Sequence, residues 1–229
     1  MTGIANTATA QSLAPPRGAA ISGVIFSVLT IVGLGLTRYA IPANLTAPGT
    51  WLIEPRHRHA IGLALKLVPF AGIAFLWFIG VIRNRLGELE DQFLASVFLG
   101  SGLLFVASLF GAAAVTAALI EAVDDANIGG DTYYLGRCIG DALLNIFAMK
   151  MAGVFMFSTC TIALRTKIMP HWVVYTGYAC GLLLLLVIAN WRWITLVFPI
   201  WMLLVSVEIL LAELSSNKIR VVAAPSNHT

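Results

Sequence analysis

Six long apolar runs, separated by polar turns, confine this chain to a narrow set of folds. They cover residues 20–37, 59–82, 92–120, 138–164, 171–189 and 194–213. A helix rises about 1.5 Å per residue, so roughly 20 apolar residues cross a hydrocarbon layer about 30 Å thick. Backbone amides find no water in that layer, which leaves helices as the simplest way across. The pattern predicts an all-α fold, a polytopic membrane helical bundle of about six transmembrane helices. Composition agrees: 59% of the 229 residues are hydrophobic, 11% are charged, and mean hydropathy is +0.89. A soluble domain is nearer half apolar and a quarter charged. Residues 1–19 and 214–229 are polar and are expected to be disordered tails. The first run is longer than the apolar stretch of a signal peptide, and five more follow it. It therefore reads as a retained helix.

The fourth run departs from the pattern of the others. It is apolar enough to span, yet Lys150 sits near its middle, with Asp141 and Asn145 one to three turns earlier. A cation at that depth costs about 2.5–3.5 kcal/mol on insertion scales, and it persists where it faces other helices, a partner or water. At about 100° per residue, Lys150 points away from the Asp141–Asn145 edge, so this helix is expected to make protein contacts on both sides. Counted by depth, Lys66 and Asp141 fall in the outer half of the layer, Lys150 near its centre and Glu208 somewhat deeper toward the cytoplasm. Lys66–Asp141 and Lys150–Glu208 are the candidate pairs. Two readings follow. The pairs are structural bridges that fix helix register, or they line an ion, proton or polar-solute path.

Small residues mark candidate helix contacts. Gly177 and Gly181 have G-x-x-x-G spacing, and Ala107 and Gly111 repeat the small-xxx-small pattern. Both let helix backbones approach closely. Glu88, Glu90 and Asp91 precede the third run, where a helix dipole favours negative charge. Glu121, Asp124, Asp125 and Asp131 form an acidic loop without the ligand spacing of a calcium loop.

Basic residues give the orientation. One side of a six-span topology collects Arg17, Arg83, Arg85, Arg165, Lys167, Lys218 and Arg220. The other collects Arg38, Arg56, Arg58, Arg137 and Arg192. The positive-inside rule then predicts a multi-pass membrane protein with both termini cytoplasmic.

Several chemistries lack their signatures. The chain has no H-E-x-x-H, G-x-S-x-G or P-loop, so no catalytic residues are assigned. His57 and His59 fall at one end of the spans and His171 at the other, so they cannot share a haem. Cys138, Cys160 and Cys180 have no metal-ligand spacing. No cofactor and no metal are expected. The scattered charge of +3 gives no nucleic-acid surface. The expected partners are the lipid bilayer and a second copy or another membrane protein.

The run PFAGIAFLWFIGVIRNRLGELEDQFLASVFLGSGLLF, Pro69–Phe105, resembles a group of uncharacterised bacterial six-span integral membrane proteins of unknown function. The turn LRTKIMPHWVVYTGY, Leu164–Tyr178, is loosely similar to an R-x-x-x-x-P-x-W turn of other such families. The resemblance implies a bacterial inner membrane and brings no catalytic residues with it. The sequence therefore predicts a non-enzymatic accessory or interaction subunit. The alternatives are a small transporter or channel with a path past Lys66, Asp141, Lys150 and Glu208, and a redox or lipid-modifying subunit.

Overall fold

The computed structural model describes residues 17–42, 44, 54–86, 92–124, 129–166, 169–186 and 192–222. These residues are almost entirely helical. The elements are α1 (Arg17–Ala40), α2 (Pro55–Leu86), α3 (Gln92–Asp124), α4 (Gly130–Asp141), a π-helical segment (Ala142–Ala148), α5 (Met149–Thr166), α6 (His171–Leu186), a 3-10 turn (Arg192–Leu196) and α7 (Val197–Val222). α4, the π segment and α5 form one rod from Gly130 to Thr166. The described residues thus make six rods, and five of them are long and apolar enough to cross a membrane.

The helices outrun the apolar runs. The predicted tails are partly helix, because α1 begins at Arg17 and α7 continues to Val222. Residues 1–16 and 223–229, the rest of those tails, lie outside the described residues. The fourth rod begins at Gly130, inside a stretch that the sequence assigns to a loop. Hydropathy marks where a helix stays apolar, whereas backbone bonding continues into polar turns. Of the fifth run, α6 covers His171–Leu186, 16 residues and about 24 Å of rise, and residues 187–189 of that run lie outside the described residues.

Neighbouring rods run antiparallel. Gly18 lies beside Val81 and Gly33 beside Ala64, Gly102 meets Ile79 and Phe155, and Gly153 meets Leu185. On α1 and α7, Gly23 lies by Ser206 and Arg38 by Thr195. We call the end where α1 starts the near end and the opposite end the far end.

Phenylalanines fill the near half. Phe26, Phe75, Phe78, Phe98, Phe105, Phe155 and Phe198 are all fully buried. Phe75 is at their centre, with ring centroids 4.6 Å from Phe26, 5.0 Å from Phe155, 5.3 Å from Phe105 and 5.8 Å from Phe198. Most of these pairs are edge-on or tilted, the arrangement favoured by ring quadrupoles. Buried hydroxyls on the same helices bond locally. Ser27 donates to the Gly23 carbonyl, Ser206 to Met202 and Thr159 to Phe155. The perimeter is apolar: Ile25, Val32, Phe70, Trp77, Leu104, Leu186 and Ile200 are all exposed. An exposed apolar surface of this extent marks a partner or a lipid phase.

Close contacts fall where small residues face inward. A Cβ on Gly181 would stand 3.0 Å from the Phe157 ring and 3.2 Å from the Gly153 carbonyl, and one on Gly177 would strike Cys160 and Trp201. These glycines bring α6 onto α5 and α7. The Ala107–Gly111 expectation needs correction, because Ala107 is exposed. The buried stripe of α3 is Phe98, Ser101, Gly102, Phe105, Leu109 and Ala112. Ala107 is two residues past Phe105, about 200° around the helix, so its face turns outward. Gly111 is half-buried and approaches Leu143.

Candidate functional site

In the far half the rods splay, leaving a cavity of about 540 Å³ between α1, α2, α3, α4 and the π segment. That volume falls within the range of about 300–1,000 Å³ typical of small-molecule sites. The lower wall is apolar, formed by Leu29, Leu34, Leu67, Val68, Ala71 and Leu109. The lining stops at Leu29, Ala71, Leu109 and Ile194, each about one turn from Phe26, Phe75, Phe105 and Phe198. The aromatic core therefore lies about one turn beneath the cavity floor. A small cluster of Ala40, Ile61 and Tyr133 packs near the far end.

The upper wall is polar. Arg38, in the last turn of α1, donates from Nη2 to Thr195 Oγ1 at 2.8 Å and to Asn145 Oδ1 at 3.4 Å. A cation suits the negative end of a helix dipole. Asn145 in turn donates from Nδ2 to Asp141 Oδ1 at 2.5 Å. Arg137, only 8% exposed, donates from Nη2 to the carbonyls of Pro42 at 3.1 Å and Asn44 at 3.5 Å. Among the described residues, the charged side chains on the lining are Arg38, Arg137 and Asp141, an excess of one positive charge.

Two local features position these groups. Asp141 ends α4, and the π segment that follows carries Leu144 and Asn145 into the cavity. π-helical turns are rare and often occur at functional sites. Gly136 and Gly140 hold α4 against α3, since a Cβ on Gly136 would meet Leu119 at 2.7 Å and one on Gly140 would meet Val115 at 3.6 Å.

Thr30 differs from the other lining hydroxyls. Thr37 and Thr116 donate to the Gly33 and Ala112 carbonyls one turn back. Thr30 Oγ1 is buried and has no hydrogen-bond partner, and the residue is 8% exposed. An unpaired buried hydroxyl costs free energy on the order of 1–3 kcal/mol.

The sequence-predicted polar residues divide into three groups. Asp141 and Asn145 join the cavity. Lys150, half-buried, leaves the rod on another side and donates from Nζ to the carbonyls of Leu184, at 3.1 Å, and Leu185. Those carbonyls lie in the last described turn of α6, toward the end of the helix dipole that favours a cation. Lys66 is exposed on the outside of α2, and Glu208 is half-buried on α7; neither lines the cavity. Among the described residues, no ion pair joins Lys66 to Asp141 or Lys150 to Glu208. Counting residues gives the depth of a side chain, but the direction it faces depends on which neighbour covers each helix face.

Sequence reasoning assigned Arg38 and Arg137 to the ends of spans and missed them as site residues. A lone arginine bounding an apolar run carries the same signal whether it faces water or a cavity. The Gly136–Gly140 spacing was a readable sign of close packing beside Arg137. No group of His, Cys, Asp and Glu among the described residues could hold a metal ion. Compared with known protein families, curated proteins and solved structures, the chain matches none.

Proposed function

We propose that this protein is a non-enzymatic membrane subunit that binds a small molecule in its far-half cavity. One observation carries the reading: a cavity of small-molecule size, apolar below and polar above, ends about one turn above a packed aromatic core. A blind cavity suits capture better than passage, and Lys66, Lys150 and Glu208 lie off its lining. The apolar perimeter and the long apolar helices support placement in a bilayer, and the proposed location is a bacterial inner membrane. The charge balance supports a cytoplasmic near end, with both termini there. Two of the far-end arginines, Arg38 and Arg137, line the cavity, which leaves fewer positive charges in the far-end turns and sharpens the positive-inside asymmetry.

The test compares wild type with Gly33→Leu. Gly33 lines the cavity, and a Cβ there would meet nothing closer than the Ala64 carbonyl at 4.0 Å, so a side chain starting there has room to enter the lined space. Both proteins are extracted directly into polymer-bounded native nanodiscs, and the small molecules that accompany them are identified by mass spectrometry. Wild type is expected to carry a species that Gly33→Leu lacks; identical contents would defeat the reading. Proteoliposomes loaded with a pH dye address the transporter alternative. Proton leak above empty vesicles, lost in Lys150→Leu, would favour a path through the bundle.

A further inference from the structure

The cavity has a sidedness that bears on what fills it, and the inference here rests on the binding reading above. Its upper wall presents two guanidinium groups and one carboxylate. The carboxylate of Asp141 already accepts from Asn145. Each guanidinium has five N–H donors in a planar fork, which suits the paired oxygens of a carboxylate or phosphate. Arg137 is more than nine-tenths buried, so its charge acts where water screens it poorly. Below, Leu29, Leu34, Leu67 and Val68 offer only hydrocarbon. Thr30 sits eight residues before Arg38 on the same helix, about 12 Å deeper by helical rise. Thr30 lies on the lining at that depth, with its hydroxyl buried and without a hydrogen-bond partner among the described residues.

We propose that the occupant is a single-chain amphiphile with an anionic head, the head held by Arg38 and Arg137 and the chain lying toward Thr30 and the phenylalanine core. At roughly 30 Å³ per water-sized group, the cavity holds on the order of 18 such groups, enough for one medium-length chain and its head. Carboxylate and phosphate heads share the relevant chemistry. Seating the head between the guanidiniums competes with the bonds Arg38 makes to Asn145 and Thr195, so occupancy bears on the π segment and on the 3-10 turn before α7.

The test uses the full chain in nanodiscs of zwitterionic phosphatidylcholine, with protein-free nanodiscs as the blank. The probes are radiolabelled laurate, dodecyl phosphate, dodecanol and dodecylamine, which share one chain and differ in the head. Laurate or dodecyl phosphate is expected to bind about tenfold more tightly than dodecanol, with dodecylamine no better than the blank. Whichever anion binds more tightly identifies the head as carboxylate or phosphate. Arg38→Gln brings the anion-to-alcohol ratio toward one, and Arg38→Lys restores part of it by keeping the charge. Equal binding of laurate, dodecyl phosphate and dodecanol, or a preference for dodecylamine, overturns the anionic head even where Gly33→Leu still blocks binding. If Gly33→Leu binds every probe as wild type does, the cavity reading itself fails. The anion-to-alcohol ratio in the wild type needs no substitution, so the inference remains open to refutation if the arginine variants do not fold.

Discussion

The two halves of this bundle use the same helices in opposite ways. In the near half, seven buried phenylalanines from five rods interlock, and the buried serine and threonine hydroxyls bond to their own helix, while the half-buried Thr161 and Tyr178 hydroxyls link α5 to α6 at 2.9 Å. In the far half, the same rods separate around about 540 Å³ of space, and polar groups reach between helices. Without a hydrophobic driving force between helices in lipid, close packing and interhelical hydrogen bonds carry association. The near half relies on packing. The far half gives up packing for a lined space and uses polar links at its rim. Stability is therefore expected to concentrate in one half and binding in the other.

The sharpest attack on that contrast is Phe75→Ala. Phe75 touches Phe26, Phe78, Phe105, Phe155 and Phe198. Its truncation is expected to cost on the order of 3 kcal/mol, the low end for buried phenylalanines, since in the proposed bilayer acyl chains would reduce the transfer contribution. Denaturant unfolding in mixed micelles measures it. A loss no greater than that of Gly33→Leu would erase the distinction between the halves.

Next comes Lys150→Leu, at the level where the halves meet. Removing the ammonium takes hydrogen bonds from the Leu184 and Leu185 carbonyls, a loss of about 1.5–3 kcal/mol for bonds to a charged donor. Glu208→Gln, which breaks no ion pair, should leave the same unfolding midpoint unchanged. Equal losses from both substitutions would revive the Lys150–Glu208 bridge.

A smaller effect is expected from Gly181→Ala. The added methyl would press on the Phe157 ring at 3.0 Å and the Gly153 carbonyl at 3.2 Å, costing about 1–2 kcal/mol as α6 and α5 move apart. Thermal inactivation of nanodisc-held protein reads it, and a neutral result would remove Gly181 from the packing seam. The least effect belongs to Ala107→Leu, within about 0.5 kcal/mol, because its face is exposed. A large loss there would place Ala107 in a contact with a second chain.

Much of this was legible beforehand, and the exceptions share a cause. The all-helical fold and its long apolar helices follow from apolar run lengths, and a close helix contact at Gly177 and Gly181 follows from small-residue spacing, but not which helix makes it. Polar groups on two sides of the fourth rod also follow from angular counting: Asn145 meets Arg38, while Lys150 meets α6. The partners of those groups do not follow. Arg38 bonds to residues 107 and 157 positions away, and no local signal links them. Lys150 meets backbone carbonyls, which every residue carries and no sequence pattern marks.

By itself the sequence determined that this chain is a set of long apolar helices with a few ionised groups set at readable depths. Depth is additive along a helix, at a constant rise per residue, so it can be counted. The tertiary structure alone decided which face of each helix turned inward, where the rods part to leave a cavity, and that Arg38 and Arg137 line it. Facing is a property of pairs of helices, settled by how their ridges and small residues fit together, and no single run of residues contains it.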